Sequence, residues 1–253
     1  MNKPKMILFD YGQTLADEKK FDGIAGTKAL LEYAVENRFD LTPEQIQAEA
    51  DKINNEIGRF NPERIHLFQI EIPSGMFTKY FYGSLGITFS PTLSQDDIDR
   101  IFWDASSPAK PTEGISDLLL YLKDLHIRTG VISNISYGGN VVAERINKLL
   151  PDNDFEFIIA TSEYMFRKPN RRIFDLALVK AGLEAGDVWY IGDNFECDVI
   201  GSHNAGMTSV LYDGASEKRL DKSADFEYLH IHHWDELIMT IQNKNQRKKG
   251  KQP

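Results

Sequence analysis

Polar side chains follow several apolar runs of this 253-residue chain. Asp10 comes directly after the apolar residues 6–9, and Ser133 ends a second run at 129–133. An aspartate in such a place is by itself an ordinary turn residue or helix cap, so the interest lies in the repetition of the pattern. The residues that end or follow these runs and could do chemistry are Asp10, Ser133, Asn134, Lys168, Asp193 and Asp198.

Carboxylates, a hydroxyl and a lysine together can hold a cation and a phosphoryl group. Carboxylate oxygens are the ligands that Mg²⁺ prefers, and Mg²⁺ usually takes few protein ligands and keeps several waters. A cation and an ammonium group would both offset the charge of a phosphoryl group in transfer, and a hydroxyl would add a hydrogen bond. These residue types therefore favour magnesium-dependent phosphate chemistry, provided that the fold brings them together.

The apolar runs predict the sheet that would do so. Five short runs and a weaker sixth are apolar almost throughout rather than alternating, which is typical of parallel strands buried on both faces. Helical patterns separate the later runs, so the sequence predicts an α/β fold with a doubly wound, parallel-sheet, Rossmann-like core. Ligands of such sheets bind beyond the carboxyl ends of the strands, where the strand order reverses. The runs are residues 6–9, 129–133, 157–160, 188–191, 209–212 and 228–231.

The segment 19–107 interrupts this alternation of strands and helices and contains no convincing strand. A capping box begins at Thr42, with Pro43 at the first helical position, and Ser94 begins another helix. An aromatic-rich stretch between the two is typical of a small hydrophobic core. We therefore predict a core domain formed by residues 1–18 and 108–242, an inserted helical cap subdomain at 19–107, and a disordered basic tail at 243–253.

Composition and charge restrict the class of protein. The formal net charge of −9 gives no support to a chain-wide nucleic-acid surface. The single cysteine, Cys197, excludes an internal disulfide and fits a reducing compartment. The first apolar run is far shorter than a signal-peptide core, and no window approaches the ~18 apolar residues of a membrane span. We therefore expect a cytoplasmic protein that binds neither nucleic acid nor membrane, and no pattern predicts an oligomeric state.

The motifs resemble those of the haloacid dehalogenase superfamily, in the subgroup whose helical cap is inserted between the first and second motifs. Residues 9–15 resemble the first motif, and residues 131–134 resemble the second. Lys168 matches the lysine of the third motif, and residues 192–207 resemble the fourth, acidic motif, which is the most specific of the set. The resemblance covers nearly the whole chain, including the position of the cap.

The resemblance implies a magnesium-dependent phosphatase that hydrolyses the phosphate ester of a small metabolite. Asp10 would attack phosphorus to form an aspartyl phosphate, which water then hydrolyses, so that one difficult displacement becomes two easier ones. Ser133 and Asn134 would contact the phosphate group, and Lys168 would neutralise both the nucleophile and the phosphate.

The resemblance also implies the magnesium ligands. The Asp10 carboxylate, the backbone carbonyl of Gly12 and Asp193 would hold the ion. Asp198 would be either a further ligand or a partner that orients the others, a role that commonly tunes a metal site.

One position departs from the family pattern. Most phosphatases of this family carry a second aspartate two residues after the nucleophile as general acid and base, whereas this chain has Gly12 there. Loss of such a group typically lowers the rate by about 10²–10⁴-fold. Three explanations are open: the leaving group needs no proton, Asp17 at the junction with the cap supplies it, or the domain is catalytically weak and acts by protein binding. If the acid is simply missing, the rate should depend steeply on the basicity of the leaving group.

Two other branches of the family are alternatives. The haloacid dehalogenases carry an aromatic residue at the position of Gly12 and need no metal, whereas the aromatic residue here, Tyr11, comes one position earlier. Phosphonate-cleaving members have a small residue at this position and use a cap lysine as a Schiff base. Lys28, Lys52 and Lys79 are the candidates for that lysine.

Overall fold

A computed structural model describes residues 3–58, 69–216 and 223–249, with side chains up to Asn243. The strands of its main sheet, numbered in chain order, are β1 (Met6–Phe9), β6 (Arg128–Ser133), β7 (Phe155–Ala160), β8 (Val188–Gly192), β9 (Thr208–Tyr212) and β10 (Leu229–Ile231). All are parallel, and they lie in the order β10-β9-β8-β1-β6-β7. The chain winds outward from β1 on one side and then on the other, so the strand order reverses beside β1.

Side chains of β1 alternate between two hydrophobic clusters, one on each face of the sheet. Ile7 and Phe9 belong to one cluster, together with the helices on either side of β6 in the chain and a helix that follows β10, and Met6 and Leu8 belong to the other, together with a helix that follows β7. Because helices cover both faces, the strands are apolar along most of their length, which agrees with the predicted α/β fold. The helices around the sheet are α5 (Ile115–Asp124), α6 (Gly139–Leu149), α7 (Arg171–Ala181), α8 (Gly201–Asn204) and α9 (Trp234–Lys249).

The strand predictions agree with the structure, but the tail prediction does not. Each predicted run corresponds to a strand of the main sheet, with ends displaced by at most two residues. The predicted disorder at 243–253 is wrong over its first part, because α9 continues to Lys249. Lysine, arginine and glutamine are good helix formers, so a basic composition does not exclude a helix that begins in the core. Residues 250–253 lie outside the described residues.

No helix in the described ranges is long and apolar enough to cross a membrane.

The described part of segment 19–107 contains helices with a hydrophobic cluster of their own. The capping box predicted at Thr42 is present, and Ser94 caps the last of these helices. Leu30 and Phe81 lie in the shared cluster. The helices are α1 (Gly23–Leu31), α2 (Pro43–Ile57), α3 (Ser74–Ser84) and α4 (Gln95–Ser106).

The prediction that this segment lacks strands is wrong. Two strands, β3 (Ala34–Asn37) and β4 (Ile87–Phe89), pair antiparallel within it. Both are short and β3 has no buried residue, so neither shows the apolar run or alternation by which a strand is recognised. At the predicted boundary, β2 (Ala16–Glu18) pairs antiparallel with β5 (Ala109–Pro111). The two ends of the segment 19–107 therefore lie side by side. The division into core and cap at these boundaries remains a prediction.

Candidate active site

The centre of the candidate site is a buried lysine between two buried carboxylates. The Lys168 ammonium donates a hydrogen bond to Oδ1 of Asp10 at 2.7 Å and another to Oδ1 of Asp198 at 2.6 Å. All three side chains are buried, so solvent screens these contacts little and each charge depends on its partners for stabilisation. Asp10 follows β1 directly, as the sequence predicts.

Asn134 positions Lys168 through the backbone. Its Nδ2 donates to the carbonyl oxygen of Lys168 at 2.8 Å, and its Oδ1 accepts from the backbone N–H of Lys168 at 2.8 Å. Lys168 follows β7, an outermost strand, and these two hydrogen bonds hold its backbone against the loop after β6. The side-chain amide of Asn134 is therefore engaged with Lys168, which does not fit its predicted contact with the phosphate. We interpret Asn134 as a positioning residue.

Tyr190 belongs to the site although the sequence does not reveal it. Its hydroxyl accepts a hydrogen bond from Nζ of Lys168 at 2.7 Å and donates one to the carbonyl oxygen of Ile132 at 3.0 Å. With the two carboxylates, this hydroxyl gives each of the three ammonium N–H donors a partner. Tyr190 lies in the middle of the apolar run of β8, where a tyrosine is ordinarily a core residue, so no sequence signal marks it.

Asp193 adds a third carboxylate. One oxygen each from Asp10, Asp193 and Asp198 lie within 4.8 Å of one another. Burial, with the charges of Asp10 and Asp198, raises the pKa of Asp193 well above its usual range. Burial also raises the pKa of Asp10 to about 6, against the opposing attraction of Lys168. Three ionised carboxylates around one ammonium would carry an excess of negative charge; the raised pKa values of Asp10 and Asp193 reflect that cost, which a divalent cation would offset.

These residues fit a Mg²⁺ ion. Their converging atoms are carboxylate oxygens, the hard donors that this ion takes in small number. Asp198 uses Oδ1 for Lys168, and its Oδ2 accepts from the backbone N–H of Asn194 at 2.9 Å. Because both of its oxygens are engaged, the arrangement favours Asp10 and Asp193 as direct ligands and Asp198 as a group that orients them. The backbone carbonyl of Gly12 remains the third predicted ligand.

Asp17 pairs with an exposed lysine rather than with a residue of this site. Its carboxylate forms an ion pair with Lys110 at 3.3 Å, and both side chains are more than a third exposed. Successive side chains of a strand point to opposite faces, and it is the next residue, Glu18, that lies beside Gly12. A Cβ atom placed on Gly12 would be 3.2 Å from Oε2 of Glu18. Burial raises the pKa of Glu18. Of the three explanations for the missing acid, the one that uses Asp17 is not favoured by its ion pair with Lys110.

A cavity of about 600 Å³ lies between the segment 19–107 and the loop after β6. Glu18, Asn134 and Asp99 are among its polar lining residues. Ser133, the last residue of β6, is buried at the same sheet edge as Asp10, so its predicted phosphate contact remains compatible with the structure. Much of the remaining wall is aromatic, from Phe21, Phe77, Phe81, Tyr82, Phe102, Trp103 and Tyr137.

The residues that would serve the two alternative branches lie elsewhere. Tyr11 is buried, and its hydroxyl accepts from Nε of Arg145 at 2.8 Å, so it does not stand in for an aromatic residue at position 12. Lys28, Lys52 and Lys79 are exposed, and none of them lines the cavity. None of these three lysines is therefore in place to form a Schiff base with a ligand in the cavity.

A second polar group lies at the outer strands β9 and β10. The Asp213 carboxylate contacts Nε2 of His230 at 3.0 Å and Nδ1 of His232 at 2.5 Å. Sequence spacing suggests no partner for His232, because the contact joins residues that follow or lie on two different strands. We interpret the group as a hydrogen-bonded link between the last two strands of the sheet.

Comparison with known proteins identifies the family. The sequence profile of the haloacid dehalogenase-like hydrolases matches residues 7–212 of the chain. The chain belongs to this family. Membership makes it an enzyme of the hydrolase class and confirms the family that the motifs indicate. The matched range of this haloacid dehalogenase (HAD)-like hydrolase contains every predicted site residue, from Asp10 to Asp198.

Relatives and structural neighbours span more than one reaction. The glyceraldehyde 3-phosphate phosphatase of Pyrococcus abyssi is 26% identical over 252 residues, which cover 98% of this chain and 98% of that protein. A 2-haloacid dehalogenase from Pseudomonas syringae superposes with a TM-score of 0.63 at 19% identity, over 96% of this chain and 99% of the other. A HAD phosphatase from Thermococcus onnurineus has a TM-score of 0.63 at 19% identity, over 95% and 98%. Because a dehalogenase and a phosphatase match the fold equally well, the reaction must be argued from the site.

Proposed function

We propose that this HAD-like hydrolase is a Mg²⁺-dependent phosphatase that acts on a small phosphorylated metabolite through an aspartyl phosphate on Asp10. The name of the Pyrococcus abyssi relative, which matches this chain over nearly its full length, supports a phosphate ester as substrate. It also makes glyceraldehyde 3-phosphate the first compound to test. The single, buried cysteine, Cys197, fits the reducing cytoplasm that we propose as the location.

One observation carries the proposal: the excess of carboxylates around Lys168. A dehalogenase-like reaction needs Asp10 and a lysine, but it has no use for Asp193 packed within 4.8 Å of two further carboxylates. Holding three like charges together in a buried place is costly unless a cation joins them. The cluster is therefore best explained as a binding site for a cation and an anionic substrate.

The residues of the chain then take distinct roles. The Asp10 carboxylate attacks phosphorus, and its oxygen–phosphorus bond replaces the bond to the leaving oxygen. Lys168 orients the nucleophile and offsets the charge on the phosphoryl oxygens, while Asn134 holds its backbone and Tyr190 its ammonium. Ser133 would donate a hydrogen bond to a phosphoryl oxygen. When bound, Mg²⁺ would polarise the phosphoryl group and offset the charge that accumulates on it.

The group that leaves with the ester oxygen would lie in the cavity. A volume of about 600 Å³ exceeds what a three-carbon metabolite needs, and aromatic side chains form much of its wall. We therefore propose a panel that extends beyond triose phosphates to phosphate esters with a larger, partly apolar leaving group. Assays with and without Mg²⁺ would test it. Hydrolysis of such esters supports the proposal, whereas release of halide from haloacids in the presence of a chelator would contradict it.

Mg²⁺ should stabilise the folded protein as well as activate it. A ligand that binds only the folded state raises its stability, and at about 100 times Kd we expect the melting temperature to rise by about 5–10 °C. Asp193→Ala should remove both this shift and the Mg²⁺-dependent activity. Differential scanning fluorimetry of chelator-treated protein measures the first, and phosphate release measures the second.

The matched control is Asp175→Ala, which removes an exposed carboxylate on α7 that pairs only with Arg171 among the ion pairs of the described residues. We expect this variant to keep the full Mg²⁺ shift. A wild-type protein that shows no shift, together with activity that survives EDTA, would contradict the metal part of the proposal.

A further inference from the structure

Glu18 places a carboxylate oxygen beside the position that a side chain at residue 12 would occupy. A Cβ atom on Gly12 would stand 3.2 Å from Oε2 of Glu18. The carboxyl group of an aspartate is bonded directly to Cβ, so an aspartate at position 12 would put a second carboxyl group next to that of Glu18. The glycine therefore leaves room for a carboxylate that comes from six positions further along the chain.

The local fold brings Glu18 to this position. After Asp10 the chain turns back on itself, and the backbone N–H groups of Leu15 and Ala16 donate to the carbonyl oxygen of Tyr11 at 2.9 and 3.0 Å. The side chain of Gln13 then donates from Nε2 to the carbonyl oxygen of Glu18 at 2.9 Å. Strand β2 thus begins beside the nucleophile loop, where Ala16 forms a parallel bridge with Gly12, and Glu18 at its end lies next to Gly12.

Neighbouring donors orient the Glu18 carboxylate. Its Oε1 accepts from Nε1 of Trp103 at 3.0 Å and lies 3.4 Å from Nη2 of Arg145. These contacts engage Oε1, and Oε2 is the oxygen that lies beside Gly12. Glu18 also lines the cavity, and its side chain is 20% exposed, so a ligand in the cavity can reach it.

We propose that Glu18 is the general acid and base of the hydrolysis, in place of the aspartate that most phosphatases of the family carry at the position of Gly12. The inference rests on the proposed function. In the first step Asp10 attacks phosphorus, the bond from phosphorus to the leaving oxygen breaks, and Glu18 gives that oxygen its proton. In the second step the Glu18 carboxylate takes a proton from water as the water oxygen attacks phosphorus. The bond from Asp10 to phosphorus then breaks, inorganic phosphate leaves, and Glu18 is protonated again.

This assignment changes the expected dependence on the leaving group. With an acid in place, kcat/KM of the wild-type enzyme should vary little between aryl phosphates, whose leaving groups need little protonation, and alkyl phosphates. Glu18→Gln keeps the size of the side chain and an acceptor for Trp103, but it cannot transfer the proton. In this variant we expect kcat/KM to fall by about 10²–10⁴-fold for alkyl phosphates and far less for aryl phosphates.

A second readout separates the role of Glu18 as a base. Since the variant lacks the group that activates water, the aspartyl phosphate should accumulate. With an aryl phosphate, the Glu18→Gln variant should therefore release a burst of the phenol, equal in amount to the enzyme, followed by a slow steady state. If Glu18 only supported Arg145 and the fold, its replacement would produce no burst and would leave the dependence of kcat/KM on the leaving group unchanged.

Asp17→Asn is the matched comparison, because it changes the neighbouring carboxylate of the same strand. A steep dependence of kcat/KM on the basicity of the leaving group in Asp17→Asn but not in Glu18→Gln would overturn the inference. A steep dependence in the wild-type enzyme would also overturn it, and that measurement does not require any variant to fold. If no phosphate ester is hydrolysed, or if turnover survives Asp10→Asn, the proposed function fails instead. Hydrolysis with identical shallow slopes in wild type and Glu18→Gln defeats only the assignment of Glu18.

A rescue experiment tests the shared space directly. Gly12→Asp alone places a second carboxylate against Glu18, so we expect it to lose activity. Glu18→Ala vacates the space, and Gly12→Asp in that background should restore the hydrolysis of alkyl phosphates. The inference is overturned if Gly12→Asp lowers the hydrolysis of alkyl phosphates equally in the wild-type protein and in the Glu18→Ala variant, while all of these variants remain folded.

Discussion

Replacing Asp10 with asparagine is expected to abolish turnover while the fold persists. The two side chains have nearly the same shape, but asparagine has no nucleophilic carboxylate, and loss of a nucleophile typically costs on the order of 10⁴-fold or more in kcat. The variant should be at least as stable as the wild type without Mg²⁺. Burial and Asp198 already raise the pKa of Asp10 to about 6, so the charge that is removed is one that the fold disfavours.

Steady-state phosphate release and thermal unfolding measure the two parts of this expectation. Asp175→Asn is the control, since it makes the same chemical change in an exposed carboxylate of α7 and should alter neither. Turnover of Asp10→Asn within about tenfold of the wild type would exclude Asp10 as the nucleophile, given the size of effect that nucleophiles carry.

Replacing Lys168 with methionine should damage both activity and stability. The change leaves Asp10 and Asp198 buried without their ammonium partner, and breaking a buried pair in this way typically costs about 3–5 kcal/mol. The rate should fall as well, because removal of one charge-stabilising donor typically lowers kcat by about 10²–10³-fold. Urea unfolding and phosphate release measure the two effects. Lys110→Met is the control, since it removes an exposed lysine whose ion pair with Asp17 contributes about 0–1 kcal/mol.

The stability loss of Lys168→Met should shrink at low pH. A carboxyl group whose pKa is higher in the folded state than in the unfolded state stabilises the fold when protonated, and this contribution disappears as the pH rises through the folded-state pKa. Burial raises the pKa of Asp10 to about 6 even beside Lys168, and loss of the ammonium raises it further. In the presence of a chelator we therefore expect the largest deficit above about pH 7 and the smallest near about pH 5. A deficit that is independent of pH would show that packing, not charge, makes Lys168 important.

The sequence predicts the framework of this site well because its residues follow strands. Buried parallel strands need apolar runs, and a polar residue that ends such a run is visible as an interruption. That logic places Asp10 and Asp193 at one edge of the sheet, the resemblance to the family motif adds Lys168, and the structure brings the three together. It fails for Tyr190, because a tyrosine inside an apolar run looks like a core residue and only the tertiary structure reveals the partner of its hydroxyl.

The sequence names Asp17 as one candidate for the substitute acid, whereas the acid that we propose is the next residue, Glu18. The choice between Asp17 and Glu18 depends on which face of β2 is turned toward the nucleophile, and a strand of three residues has no alternation from which this can be predicted. The pairing of β2 with β5 and the contacts of Trp103 and Arg145 decide it, and these come from distant parts of the chain. The short strands β3 and β4 escape prediction in the same way, since tertiary pairing creates them.

The stereochemistry of hydrolysis at phosphorus tests the central claim most directly. A phosphate ester whose phosphoryl group is made chiral by a sulfur atom and oxygen isotopes would be hydrolysed by the wild-type enzyme in isotopically labelled water, and the configuration of the released thiophosphate would be determined. Each in-line displacement inverts phosphorus, so attack by Asp10 followed by attack of water on the aspartyl phosphate predicts overall retention. Overall inversion would mean that water attacks the substrate in a single step, and it would contradict the account.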